Sequence, residues 1–135
     1  MDYKNYKLAS EYFTQSIGEF SMDYEAFYNR GICNFMLGNI DKALNDYDKA
    51  IELNPNNANS YYLRGSARQK KNDNYGAIFD FEKSIKLNPN NSDPFMKLAI
   101  VYGKQGEKYK SCQFMKKACE LGDYDACQGY NKFCN

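Results

Sequence analysis

Apolar residues recur along this chain at three- and four-residue steps, with polar residues filling the positions between. Over residues 2 to about 18, Tyr6, Ala9, Phe13, Ser16 and Ile17 fall on one face of a helix. The same period predicts helices at about 23–37, 40–53, 58–71, 74–87, 92–105 and 107–121, and a last short one from 123 to the terminus. Residues that stop helices separate them: Gly38-Asn39, Asn54-Pro55-Asn56-Asn57, Asn72-Asp73, Asn88-Pro89, Gly106 and Gly122. Proline cannot continue a helix, and glycine or asparagine tolerates the backbone of a tight turn. Asp23 or Ser21 caps the second helix, and Ser92-Asp93-Pro94 opens a later one with a capping residue and an early proline. No stretch alternates as a strand does, so the chain reads as all-α.

The pattern has a longer period. Tyr24–Asn57 set above Ala58–Asn91 matches at 12 of 34 positions, including Tyr28/Tyr62, Arg30/Arg64, Gly31/Gly65, Ala43/Ala77, Asp46/Asp80 and the Asn-Pro-Asn-Asn turns. A fixed period of this length marks a stacked repeat, or solenoid. Projected backwards, it sets Ala9 against Ala43, Phe13 against Tyr47 and Ser16 against Ala50. The chain therefore opens on the second helix of a unit whose first helix is missing, either a natural half-repeat cap or, as expected here, a piece excised from a longer protein. The predicted organisation is one domain over 1–135: a half repeat at 1–23, repeats at 24–57 and 58–91, a divergent repeat at 92–125 and a capping helix at 123–135.

These residues resemble the tetratricopeptide repeat. The family places an aromatic at position 4, a small residue at 8 and 20, an aromatic at 24, an alanine-like residue at 27 and proline at 32. This chain offers Phe27, Gly31, Ala43, Tyr47, Ala50 and Pro55, then Tyr61, Gly65, Ala77, Phe81, Ser84 and Pro89. The third unit offers Phe95, Ala99, Ser111, Met115 and Ala118, with Asp123 in place of proline. Small residues let paired helices approach, and the aromatics fill the space between them. The resemblance implies a right-handed α-solenoid of antiparallel helix pairs, about seven helices in all.

Arg30 and Arg64 stand sixteen residues before Asp46 and Asp80, positions that face each other in a helix hairpin. They read as structural ion pairs, Arg30–Asp46 and Arg64–Asp80, with the arginine fork on the carboxylate. In the third unit Leu98 and Phe114 take both places, so the two charges vanish together. Composition adds exclusions. Lysine plus arginine is 18 against 17 aspartate plus glutamate, a net charge of +1, which gives no reason to expect nucleic acid. No apolar run suits a membrane span, and the start lacks the apolar core of a signal peptide. There is no histidine. With no glycine-rich phosphate loop or nucleophile–base set either, no catalytic residue, metal site or cofactor is expected.

Four of the five cysteines lie close together as Cys112, Cys119, Cys127 and Cys134. Seven residues is nearly two helical turns, so 112 and 119 share a face, as do 127 and 134. Folding the helices back at Gly122-Asp123 sets Cys119 opposite Cys127 and Cys112 opposite Cys134. Disulfides Cys119–Cys127 and Cys112–Cys134 are the leading reading, beside four reduced core thiols or a four-cysteine zinc site lacking the usual close pairs. The segment around Cys119 and Cys127 also resembles the cysteine-rich branch of SEL-like repeats, where cysteines eight apart tie one repeat to the next. Disulfides imply the periplasm, the cell surface or secretion; reduced thiols imply the cytoplasm. Cys33 reads as a small core residue.

In the tetratricopeptide family, positions 2, 5, 6 and 9 of each first helix point into a concave groove. Here these are Glu25, Tyr28, Asn29 and Ile32, then Asn59, Tyr62, Leu63 and Ser66, then Asp93, Met96, Lys97 and Ile100. The mix suits an extended peptide or a helix, though Tyr28 and Tyr62 serve equally well as covers of the core. The lysine–asparagine clamp of chaperone-binding members is absent, and Lys97 alone does not restore it. The expected function is a non-catalytic protein–protein interaction scaffold. The alternatives are a structural or self-associating module of a larger cell-envelope protein, pairing through its open N-terminal helix, and an SEL-like accessory with hydrolase-type activity.

Overall fold

Turn chemistry sets the helix boundaries. The computed structural model describes residues 2–19 and 22–135 and holds eight helices. They are α1 (Tyr3–Glu19), α2 (Tyr24–Met36), α3 (Ile40–Leu53), α4 (Ala58–Lys70), α5 (Asn74–Leu87), α6 (Asp93–Lys104), α7 (Lys108–Glu120) and α8 (Tyr124–Phe133). All eight segments that the periodicity marks as helical form helices, one more than the approximate seven that the family resemblance implied. Asp23, Asn57, Asp73 and Asp123 each accept hydrogen bonds from first-turn amides of α2, α4, α5 and α8, satisfying donors that a helix start leaves free. Ser21 lies outside the described residues. Ser92 makes no capping bond; Asn91 Oδ1 instead accepts from the Asp93 amide at 3.1 Å.

Each hairpin turn inside a repeat needs one left-handed residue. Gly38, Asn72 and Gly106 hold that place at intervals of one repeat, with φ of 80°, 60° and 77°. The amide of the following residue then reaches back into the helix: Asn39 to the Asn34 carbonyl, Asp73 to Arg68 and Glu107 to Tyr102, at 2.8–2.9 Å. Such a return bond closes carbonyls that a helix end leaves open.

The helices stack in chain order as antiparallel pairs, α2 on α3, α4 on α5 and α6 on α7, forming a right-handed α-solenoid. α1 packs on α2, and α8 closes on α7. In α1 the expected face is the one that is partly covered; Tyr6, Ala9, Phe13, Ser16 and Ile17 sit there with Ser10, and no residue of the helix is fully buried.

Three apolar clusters occupy the spaces between layers. Ala43, Tyr47 and Ala67 form one, Ala77, Phe81, Leu98 and Val101 the next, and Phe95, Ala118 and Ala126 the last. Burying a side chain such as Phe81 or Leu98 contributes roughly 1.5–3 kcal/mol. The pairs meet so closely that a Cβ added at Gly31 would lie 2.6 Å from the Tyr47 ring, and one at Gly65 would lie 2.8 Å from the Phe81 ring. In the third unit Met115 replaces that ring, and alanine fits at position 99. Among the described residues, no helix is long and apolar enough to cross a membrane.

Candidate functional site

The three first helices α2, α4 and α6 lie side by side and present one face. Apart from Asp93, which is exposed at the start of α6, the predicted groove residues on it separate into three groups. Glu25, Tyr28, Asn29 and Asn59 line a pocket of about 370 Å³ at the N-terminal ends of α2 and α4, together with Tyr24 and Asn57. Ser66, Lys97 and Ile100 line a second pocket of about 290 Å³ at the C-terminal ends of α2, α4 and α6, together with Phe35, Gln69, Lys70 and Lys104. Between them Ile32, Leu63, Tyr62 and Met96 are half-buried and packed against the core clusters. The Tyr62 ring sits 5.9 Å from that of Phe81. Tyr62 therefore covers the core as well as facing the groove. Burial pushes the phenols of Tyr28 and Tyr62 upward in pKa; neighbouring Tyr24 adds to the first and the charge of Asp93 to the second.

Phe35, Gln69, Lys70 and Lys104 lay outside the positions expected from the family. A signal existed, since Lys70 and Lys104 are one repeat apart in the last turns of α4 and α6. Positions 2, 5, 6 and 9 stop short of that turn.

Behind the face, each predicted arginine–aspartate pair is one part of a larger group. Arg30 reaches Asp46 through Nε and Nη2, and Asn34 Nδ2 donates to the same carboxylate at 3.0 Å. Arg64 donates to Asp80 at 3.0 and 2.8 Å, and Arg68 donates to it at 2.9 Å. Each repeat arginine also holds the preceding unit: Arg30 Nη1 donates to Thr14 Oγ1 at 3.3 Å, and Arg64 Nη1 to Asp48 Oδ1 at 2.9 Å. The Asp80 side chain is fully buried. Burial raises its pKa, and the two guanidiniums offset part of that rise. In the third unit Leu98, Tyr102 and Phe114 occupy the places of Arg64, Arg68 and Asp80, and the two rings stack at 5.5 Å, inclined by 2°. A charged triad has been exchanged whole for an apolar one.

At the C-terminal end the structure joins Cys112 to Cys134 and Cys119 to Cys127, with Cα separations of 5.7 and 4.6 Å. Both bonds span the α7–α8 hairpin. Cys33 is unpaired and buried among the described residues. No group of three or more potential metal ligands is gathered among the described residues.

Comparisons with known proteins extend this picture. A tetratricopeptide repeat profile matches residues 24–57, and a second tetratricopeptide repeat profile matches 46–79 and 81–128. "Protein SGT1 homolog" of Oryza sativa subsp. japonica is 35% identical over 63 residues, which cover 47% of this chain but only 17% of that protein. Among solved structures, MamA superposes with a TM-score of 0.88 at 22% identity, over 94% of this chain and 75% of its own. A MamA fragment from Desulfovibrio magneticus RS-1 gives 0.85 at 22% identity, over 95% and 73%. At that identity the likeness concerns the fold. YrrB, described as a TPR protein with an unusual peptide-binding site, gives 0.79 at 28% identity, over 90% of this chain and 63% of its own.

Proposed function

Because the chain belongs to the tetratricopeptide repeat family, we propose that it is a non-catalytic scaffold that holds a peptide or helix of a protein partner on the face of α2, α4 and α6. One observation carries this reading: two pockets open on that single face, one at each end of the three parallel-stacked first helices. Side chains between them are aliphatic, aromatic and thioether, and amides line the N-terminal pocket, a mix that suits an extended segment fixed by alternate contacts. YrrB supports the reading by analogy, as a structural neighbour with a peptide-binding site.

A photo-crosslinking amino acid at position 29 or 59, inside the N-terminal pocket, tests the face directly. Crosslinked partner bands are expected from these sites and not from position 86 on exposed α5. Equal crosslinking from position 86, or none from 29 and 59, would remove the proposal.

A second reading rests on α1, where Tyr3, Leu8 and Tyr12 are 66%, 56% and 68% exposed. That open face could be covered by another unit or by a second copy of the chain. Light scattering across concentration decides it, and a strictly monomeric chain rules out the second copy. The proposed working compartment is an oxidising one, such as the periplasm or the cell surface, on the strength of the two cystines.

A further inference from the structure

The face of α2, α4 and α6 changes character along the helix axes. At the N-terminal end, Glu25, Tyr28, Asn29 and Asn59 supply a carboxylate, a phenol and amides, with no cation in the pocket. At the opposite end, Lys70, Lys97 and Lys104 converge on one pocket with Phe35 and Ile100, and no carboxylate lines it. None of these three lysines forms an ion pair among the described residues, as is true of most lysines in the chain; what sets them apart is that they meet in one pocket. Lys70 and Lys104 stand in last helical turns, where a cation complements the helix dipole. Lys97 is the fifth residue of α6, beyond the first turn, where the dipole neither favours nor opposes a cation appreciably. Helix electrostatics therefore account for two of the ammonium groups and leave the third, and the convergence of all three, unexplained.

We propose that the basic end of the groove is a receptor for an acidic peptide segment, an inference that rests on the groove reading above. The segment carries at least two Asp or Glu side chains beside an aliphatic or aromatic one. Its carboxylates meet Lys70, Lys97 and Lys104, and its apolar side chain lies against Phe35 and Ile100. Glu25 at the far end repels the acidic stretch, so the two ends together fix the direction in which the peptide lies. Ammonium groups act as point charges rather than forks, so the pocket accepts either carboxylate side chain and has no need of a free chain terminus.

The test uses a library of C-terminally amidated peptides that vary the order of acidic and apolar residues. Matched peptides with Gln/Asn or Lys in the acidic places accompany it, and binding is read by fluorescence polarisation. The full chain is compared with Lys97→Glu, with Lys70→Glu/Lys97→Glu/Lys104→Glu, and with Lys86→Glu on α5 as a control. Circular dichroism confirms that each variant is folded. Acidic–apolar peptides are expected to bind the unaltered chain and the control. The triple variant should lose about tenfold or more at low salt, with a smaller loss at high salt, and should gain affinity for the lysine peptides. Equal binding of the Gln/Asn peptides overturns this inference and leaves the groove reading standing. Retention of poly-glutamate as tight as that of the acidic–apolar peptides also overturns it, since charge alone then suffices. No binding by any peptide overturns both.

Discussion

Replacing Asp80 with alanine removes the one carboxylate that Arg64 and Arg68 share. Three hydrogen bonds at 2.8–3.0 Å are lost from a site with no solvent exposure at the carboxylate. Removing one partner of a buried ion pair costs about 3–5 kcal/mol. Arg64 keeps Asp48 at 2.9 Å, and the Arg68 side chain is 26% exposed, so the lower part of that range applies, about 3 kcal/mol. With a urea dependence of about 1–3 kcal/mol per molar, the unfolding midpoint should fall by about 1–3 M. The chain itself contains the control. Arg64→Leu/Arg68→Tyr/Asp80→Phe installs the Leu98, Tyr102 and Phe114 arrangement of the third unit. A well-packed apolar replacement for a buried ion network is often neutral or stabilising by about 1–4 kcal/mol. The exposed Asp48, left alone, is 57% accessible and stays hydrated. The triple variant should therefore unfold at or above the midpoint of the unaltered chain. A triple variant as weak as Asp80→Ala, or an Asp80→Ala chain with an unchanged midpoint, would refute the exchange.

Tyr47→Phe should leave stability unchanged at neutral pH or raise it by about 1 kcal/mol, because the Tyr47 hydroxyl is buried and has no hydrogen-bond partner among the described residues. Burial lifts its phenol well above the ordinary tyrosine value of about 10. The folded chain then holds the proton longer than the unfolded one, so this group's stabilisation is full below about pH 10 and declines above it. Urea midpoints measured from neutral to alkaline pH should fall less steeply in the variant; an equal slope contradicts the assignment. Gly65→Ala should lower stability by about 1–3 kcal/mol, since overpacking against Phe81 and Asp80 outweighs the gain of about 1 kcal/mol in helix propensity; thermal melts that show stabilisation would dispose of the close approach. Cys112→Ser/Cys134→Ser opens a link across 22 residues and should cost about 3 kcal/mol. Intact mass with and without reductant should differ by four hydrogens for two cystines, and full alkylation of unreduced native protein would rule them out.

Most of the fold was legible because it is written in the spacing of a few residue types. Identical residues one repeat apart gave the phase, and turn residues at Gly38, Asn72 and Gly106 gave the hairpins. The register of the cysteines was legible in helical geometry, since seven-residue steps on two antiparallel helices set Cys119 opposite Cys127 and Cys112 opposite Cys134. Reduced thiols or a zinc site fitted the same spacing until the structure joined the pairs. Partnerships between unlike residues were harder to see. Asn34 and Arg68 do the same job at equivalent positions, as do Thr14 and Asp48, but no identity marks them. A hydrogen-bond acceptor can be a hydroxyl or a carboxylate, so comparison by residue type passes over it. The lysine pocket was missed for a geometric reason: it assembles residues from different turns of three helices, and only the stacking of those helices brings them together.

The second bond of each repeat arginine has a consequence for how the stack comes apart. In a solenoid, stability resembles a row of units joined by nearest-neighbour couplings, and opening starts at the weakest joint. The first joint hangs on a 3.3 Å bond to a neutral hydroxyl, the second on a 2.9 Å bond to a carboxylate, and the last hairpin is welded by two cystines. Of the two arginine joints the first is the weaker, and α1 holds no fully buried residue, so opening should begin at α1. Amide exchange should run fastest in α1 and slowest beyond α5, and a bound segment would lose its grip at the Glu25 end while the lysine end still holds.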